Sequence, residues 1–143
     1  MGTVVLDASI VIALFDPQDA LHAAASAAAR RHRDAADDFL LPASVLAEVL
    51  VGAARQGEAE LTSRRSAMIA AFGSPYAMDE EVAVAAARRR ARHQSLRLPD
   101  ALVLATADVT AADAVLAGDK RWRGLDPRIE LVSQEADRRR GST

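Results

Sequence analysis

Two short apolar segments that each lead into an acid constrain the fold of this chain most. Residues 3–7 read TVVLD and residues 114–119 read AVLAGD. Wholly apolar segments of this length are typical of strands in a parallel sheet that is covered on both faces. Loops converge at the carboxyl ends of such strands, and that is where sites form. We therefore expect Asp7 and Asp119 to lie at the same edge of the sheet.

Helical patterns separate these strands and predict an α/β domain. Apolar spacing, Gly and Pro breaks, and charge at the ends indicate helices over about 8–15, 18–33, 43–56, 58–72, 79–93 and 98–109. Further short strands are predicted at 39–42, 76–78 and 129–132. Strands that alternate with helices predict a single three-layer domain over residues 1–132, with a mostly parallel central sheet flanked by helices. Residues 133–143 are predicted to be a polar, frayed tail.

Composition excludes several classes of protein. The chain has no Cys, which excludes a disulfide framework, a Cys-ligated zinc site and a thiol nucleophile, and favours a reducing cytoplasm. A net charge of −2 excludes a globally basic nucleic-acid binder but not a local basic patch. No apolar run reaches the roughly 18 residues that a membrane span needs. The N-terminus lacks the basic region of a secretory signal, so we expect no membrane association.

Two further acids lie on predicted helices in positions that solubility does not explain. Asp100 precedes Val103 and Leu104 at helical spacing, so it lies on an apolar face, where an ionised carboxylate is costly without a partner. Glu48 stands inside the otherwise uncharged stretch FLLPASVLAEVLVGAA. Apart from Glu48, the acids also have ordinary structural explanations. Asp7 could be a helix N-cap, Asp100 an acid at a helix start, and Asp119 a turn residue.

If the four acids converge, their chemistry points to a divalent cation. Carboxylates about 4 Å apart repel by roughly 4 kcal/mol per pair at an effective dielectric constant of 20, so such a cluster takes up protons or binds a cation. Oxygen ligands without Cys or paired His suit Mg²⁺ or Mn²⁺ rather than zinc. Such ions activate water and stabilise the leaving oxygen in phosphodiester cleavage. The pattern therefore predicts metal-dependent hydrolysis of a nucleic-acid backbone.

Four stretches in this order resemble the PIN domain, and specifically the VapC-type toxin ribonucleases of bacterial toxin–antitoxin pairs. They are VVLDASIVIALF around Asp7, LPASVLAEVLVG around Glu48, LRLPDALVLATA around Asp100 and AVLAGDKRW around Asp119, and they extend from residue 4 to residue 122. No single stretch is decisive. Their order, their spacing and the chain length together make the match specific.

The resemblance implies an Mg²⁺- or Mn²⁺-dependent endoribonuclease that cleaves structured RNA such as transfer or ribosomal RNA. It implies Asp7, Glu48 and Asp100 as the main metal residues, with Asp119 more variable and often acting through water. Ser9, two residues after the first acid, would orient a water or a carboxylate. The family often has Thr or Ser two residues before the last acid, whereas this chain has Ala117. Further implied properties are a homodimer and a cognate VapB-like antitoxin that blocks the active site.

Basic residues beside Asp119 are candidates for RNA binding. Lys120 and Arg121 could bind phosphates and Trp122 could stack on a base, whereas a solvent-facing role is favoured for the arginines of 88–92. Two alternatives to a nuclease are a catalytically silent PIN-like module that binds RNA or a partner, and a haloacid-dehalogenase-type phosphatase with Asp7 as nucleophile. The phosphatase needs a second Asp at the position that Ser9 occupies.

Overall fold

The central element of the fold is a four-stranded parallel sheet. The computed structural model of the chain describes residues 1–142. Its strands pair in the order β2-β1-β3-β4, and every pair is parallel. The strands are β1 (Thr3–Leu6), β2 (Asp38–Leu40), β3 (Ala114–Ala117) and β4 (Ile129–Leu131). The arrangement confirms the predicted three-layer α/β domain with a parallel sheet.

Seven helices are formed by residues 1–142 and flank this sheet. They are α1 (Ala8–Phe15), α2 (His22–Asp34), α3 (Ala43–Gln56), α4 (Glu58–Phe72), α5 (Glu80–Arg92), α6 (Leu98–Val109) and α7 (Gln134–Arg140). The bounds of α1, α3, α4 and α6 are those that the sequence predicts. Apolar spacing and flanking Gly, Pro or Asp residues determine these segments locally, so tertiary contacts did not shift them.

The two central strands are buried over most of their length. Leu6 of β1 pairs with Leu116 of β3, and Val5 pairs with Val115. All four side chains are inaccessible to solvent, which accounts for the lack of hydrophobic alternation in both strands. Because β1 and β3 are neighbours, the residues that follow them lie side by side at one edge of the sheet.

Three elements differ from their predicted positions by more than a single residue at one end or both. The second helix starts at His22 instead of residue 18, because carboxylates form local turns ahead of it: the Gln18 N–H donates to Asp16 and the Leu21 N–H donates to Asp19. The second strand occupies 38–40 instead of 39–42. The strand predicted at 76–78 is reduced to an isolated parallel bridge between Tyr76 and Pro42.

The C-terminal segment is folded where the sequence predicts a frayed tail. Ser133 caps α7 by accepting from the Ala136 N–H at 3.2 Å. The Gln134 side chain donates to the Ala20 carbonyl at 2.7 Å, and so ties the start of this helix to the loop between α1 and α2. None of the residues of α7 is buried. Residue 143 lies outside the described residues.

None of the helices formed by residues 1–142 is both long enough and apolar enough to cross a membrane.

Candidate active site

Asp7 lies where β1 ends and α1 begins. Its side chain caps α1 by accepting from the Ser9 N–H at 3.4 Å, and it accepts a shorter hydrogen bond from the Ser9 hydroxyl at 2.6 Å. Only 8% of Asp7 is exposed. Burial raises the pKa of this carboxyl, the Ser9 hydrogen bonds oppose the rise, and the charge of Asp100 adds to it. Asp7 is thus both the N-cap that the sequence allows and a buried acid with a nearby acid.

Ser9 also connects the ends of the two central strands. While its hydroxyl donates to Asp7, its oxygen accepts from the Gly118 N–H at 3.0 Å. A glycine suits this approach, because a Cβ at position 118 would lie 2.6 Å from Leu21 Cδ1 and 3.3 Å from Ser9 Oγ, so both side chains would have to shift. The orienting role predicted for Ser9 therefore has a geometric basis on the Asp7 side. The sequence does not single out Gly118, since Gly before Asp also reads as an ordinary turn.

Glu48 and Asp100 reach the same region from α3 and α6. Glu48 is the sixth residue of α3, and Asp100 lies in the first turn of α6. Desolvation raises the pKa of the exposed Glu48 carboxyl, the charges of Asp7 and Asp100 raise it further, and Arg97 opposes the rise. The structure thus brings Asp7, Glu48 and Asp100 within electrostatic range of one another, from three separate segments of the chain.

Asp119 is oriented differently, because an arginine grips it. The Arg121 Nε donates to both carboxylate oxygens, at 3.1 and 3.0 Å, and its Nη2 donates to Oδ2 at 2.7 Å. These hydrogen bonds hold the pKa of Asp119 below its usual value. In the part of the chain that the structure describes, Asp119 is therefore a paired acid, whereas Glu48 faces like charges.

The donor chemistry of this edge fits a hard divalent cation. Within residues 1–142, no three His, Asp or Glu side chains are grouped closely enough to hold an ion. All four acids nevertheless offer carboxylate oxygens, the ligands that Mg²⁺ and Mn²⁺ prefer. Two of them have basic partners: Asp119 binds Arg121, and Asp100 lies 3.6 Å from Arg97 Nε. A cation there would compete with these arginines for oxygen atoms.

The basic residues next to Asp119 form a 3₁₀ turn, Lys120–Trp122, that Asp119 caps through the Arg121 N–H. Lys120 and Arg121 are exposed, as phosphate binding requires. Trp122 is not: it is 1% exposed and belongs to the hydrophobic core. The prediction that Trp122 stacks on a base is wrong for this conformation, because burial of the indole removes its faces from any ligand.

Comparison with known proteins identifies the class. The chain matches the PIN domain over residues 4–126 and therefore belongs to the PIN domain family. This assignment confirms the resemblance and excludes the haloacid-dehalogenase alternative. No curated protein matches the chain.

Solved structures with the same fold include VapC-type toxins. A toxin–antitoxin complex from Klebsiella pneumoniae contains a chain 22% identical, with a TM-score of 0.72 and coverage of 90% of this chain and 96% of that one. VapBC2 from Rickettsia felis, bound to a DNA fragment from its promoter, contains a chain that is 11% identical. Its TM-score is 0.73, and the match covers 92% of this chain and 99% of that one. VapC20 from Mycobacterium tuberculosis, a toxin that cleaves the sarcin–ricin loop, is 17% identical. Its TM-score is 0.70, and the match covers 91% of this chain and 99% of that one.

Proposed function

We propose that this chain is a metal-dependent endoribonuclease toxin that cleaves structured RNA. The observation that carries the proposal is that Asp7, Glu48 and Asp100 lie near one another at the edge of a PIN domain, where desolvation and then the charges of Asp7 and Asp100 raise the pKa of Glu48. Carboxylates that stabilise a fold are normally paired with cations. A site that collects acids from three segments is built for a ligand of opposite charge.

Asp7, Glu48, Asp100 and Asp119 are the residues that would hold Mg²⁺ or Mn²⁺. The chemistry that a bound divalent cation supplies at such a site is activation of water and neutralisation of charge on the cleaved phosphodiester. Ser9 would orient the Asp7 carboxylate through its 2.6 Å hydrogen bond. Lys120 and Arg121 would bind phosphates of the RNA beside this edge.

The partners proposed for this chain follow from the proteins that share its fold. The neighbours from Klebsiella pneumoniae and Rickettsia felis are toxin–antitoxin assemblies, which supports a cognate VapB-like antitoxin here. We further propose a homodimer that acts on RNA in the cytoplasm. Co-purification of an untagged neighbouring gene product with the tagged chain, followed by light scattering for the mass of the free chain, tests both partners.

The cleavage proposal is tested with purified protein, a pool of transfer and ribosomal RNA, and mapping of the new RNA ends. We expect cleavage with Mg²⁺ or Mn²⁺ and none with EDTA. Asp7→Asn and Asp100→Asn keep the shape of each side chain and remove its charge, so cleavage should fall by about a hundredfold or more. Asp34→Asn is the matched control, because Asp34 is an exposed acid at the end of α2; this variant should cleave like the wild type.

Two outcomes would contradict this function. Equal cleavage by the wild type and the folded Asp7→Asn variant would show that another agent cuts the RNA. Tight RNA binding without any cleavage, in the presence of either metal, would favour the catalytically silent PIN module. Circular dichroism of each variant establishes that a loss of activity is not a loss of fold.

A further inference from the structure

We propose that Arg121 is a positioning residue that holds Asp119 away from the cation in the free protein and transfers to an RNA phosphate when substrate binds. This inference rests on the proposed function, because it concerns how the same site is completed. It begins from the one acid of the four whose oxygens are both taken by an arginine of its own chain. Among residues 1–142, Arg121 therefore already donates to both carboxylate oxygens of Asp119 before any ligand binds.

The contacts between these two residues use both oxygens of the carboxylate. Oδ2 accepts from Nη2 at 2.7 Å and from Nε at 3.0 Å, and Oδ1 accepts from Nε at 3.1 Å and from the backbone N–H at 2.9 Å. A divalent cation binds carboxylate oxygens through the same lone pairs. Guanidinium and cation therefore compete for Asp119, and the site gains its fourth acid only when Arg121 leaves.

Arg121 is placed so that it can leave. Its side chain is 71% exposed, whereas that of Asp119 is 25% exposed. An exposed ion pair contributes little net free energy, because water competes for both partners. A phosphodiester presents two oxygens to a guanidinium in the same forked geometry as a carboxylate. RNA that enters this edge thus offers Arg121 an equivalent partner.

Arg97 provides an internal comparison. Its Nε lies 3.6 Å from Asp100 Oδ2, beyond the usual length of a hydrogen bond, and its side chain is 64% exposed. It places a positive charge near the same acids without gripping one of them. Arg97→Ala therefore removes the same charge as Arg121→Ala and leaves the contacts of Asp119 in place.

The first test measures Mn²⁺ affinity by titration calorimetry, without RNA. Arg121→Ala should bind Mn²⁺ about fivefold more tightly than the wild type, the factor that corresponds to release of an exposed ion pair. Arg97→Ala should gain less. In the Asp119→Asn background the Arg121→Ala gain should disappear, because the oxygen that the substitution frees is no longer a carboxylate. Equal gains from Arg121→Ala with and without Asp119 would reduce the effect to net charge and overturn the proposal.

The second test follows the arginine itself. In EDTA, where no cleavage is expected, a short RNA hairpin is added to ¹⁵N-labelled protein and the Arg121 Nε–H signal is observed, assigned by its loss in Arg121→Lys. We expect the chemical shift of this signal to change when RNA is added, because a phosphate replaces the carboxylate as acceptor. The Nε–H should stay protected from exchange with water, because it remains hydrogen-bonded. An unmoved signal while RNA binds elsewhere on the protein would overturn the transfer.

The two proposals fail in different ways. If no variant binds Mn²⁺, the metal-dependent function fails, and the arginine transfer fails with it. If wild type and Arg121→Ala bind Mn²⁺ equally and the Asp7→Asn variant does not, the metal site stands and only the role of Arg121 is wrong. Arg121→Lys keeps the positive charge but removes the forked guanidinium. Because a lysine cannot hold both oxygens of Asp119 in the same way, this variant should show part of the gain in Mn²⁺ affinity that is expected for Arg121→Ala.

Discussion

Two charged regions of this molecule are built in opposite ways. At the carboxyl edge of the sheet, Asp7 and Glu48 lie near like charges, which contribute to the raised pKa of both carboxyls. Near the ends of α5 and α6 and ahead of β4, two acids are each paired with the same two arginines. The carboxyls of these acids, Asp108 and Asp126, have lowered pKa values. We call this second region the arginine clamp; it consists of Arg89, Asp108, Asp126 and Arg128.

The contacts of the arginine clamp leave no charge without an opposite one. Asp126 Oδ2 accepts from Arg89 at 2.7 Å and from Arg128 at 2.8 Å. Asp108 accepts from the same two arginines at 2.6–2.7 Å. The clamp joins α5, α6 and the segment before β4, so its pairs hold the architecture together.

The difference separates stabilising charge from functional charge. Pairing lowers the free energy of the ionised folded state, whereas collecting like charges raises it unless a ligand neutralises them. The carboxyl edge thus contributes less to folding than its number of polar groups suggests. We expect substitutions in the clamp to destabilise the protein and a neutral substitution of Glu48, whose pKa is raised, to leave it equal or more stable.

The largest effect should come from breaking the clamp. Asp126 is 8% exposed at its side chain, and Asp126→Ala deprives two partly buried arginines of a shared acceptor. We expect a loss of about 3 kcal/mol in the free energy of unfolding, measured with urea. Glu135→Ala, which removes an ion pair that is exposed on both sides, is the control and should change little. A loss below about 1 kcal/mol would mean that the clamp is not a principal stabilising contact.

A smaller effect is expected where the two central strands meet the site. In Gly118→Ala the new methyl group would contact Leu21 and Ser9. The end of the half-buried Leu21 side chain can shift, so we expect a cost near the lower end of the about 1–3 kcal/mol that overpacking causes, and displacement of Ser9 should also lower RNA cleavage. Gly52→Ala is the control, because a Cβ there meets nothing within 4 Å in the interior of α3; this variant should be more stable by about 0.5–1 kcal/mol. Normal stability and cleavage in Gly118→Ala would show that Ser9 is not held as described.

A second paired cluster makes stability depend on pH. His32 lies between Asp37, at 2.7 Å from Nδ1, and Glu130, at 2.9 Å from Nε2, while Arg31 also binds Glu130 and the Gly2 N–H donates to Asp37. Desolvation lowers the pKa of this imidazole, but its hydrogen bonds and the two charges raise it overall above the usual 6.5.

Because the folded pKa of His32 is raised, its stabilising contribution is complete below about pH 6.5 and is lost as pH rises through the higher folded value. We expect the free energy of unfolding to fall by no more than about 1 kcal/mol as pH rises through this range. Urea unfolding at pH 6 and pH 8.5 measures the change, and His32→Gln should abolish it. A variant with the same pH slope as the wild type would assign the dependence to another group.

The smallest effect is expected for Glu48→Gln. The raised pKa of Glu48 means that its ionised form destabilises the folded state at neutral pH. The substitution should therefore stabilise the protein by a few tenths of a kcal/mol at pH 7, since the side chain is exposed. The gain should vanish below about pH 4, where Glu48 is protonated in both states. Glu58→Gln, at an exposed acid of α4, is the control; an equal gain in both variants would show that the charges of the site do not act specifically on Glu48.

Most of the fold could be predicted because its elements are determined locally. The apolar strand 114–117 and helix α6, with Pro99 and Asp100 in its first turn, are encoded by neighbouring residues. The start of α2 depends on turns formed by Asp16 and Asp19, and α7 depends on a contact with the Ala20 carbonyl. Such contacts have no periodic signal.

The residue types of the candidate site could also be predicted, but not how each acid is paired. A carboxylate at the end of a buried strand is visible in the sequence. That Arg121 turns back onto Asp119 depends on the 3₁₀ turn between them, and a run of basic residues gives no sign of it. Stacking of Trp122 on a base requires the indole at the surface, whereas the turn directs it into the core.

The position of Trp122 gives this protein an optical reporter. It is the chain's single tryptophan, it follows Arg121 directly, and its indole Nε1 has no hydrogen-bond partner among the described residues. Its emission therefore originates from one place, the short turn that carries Asp119. A change in wavelength or intensity on titration would therefore register a change in the surroundings of Trp122, next to Arg121 and Asp119, without a label.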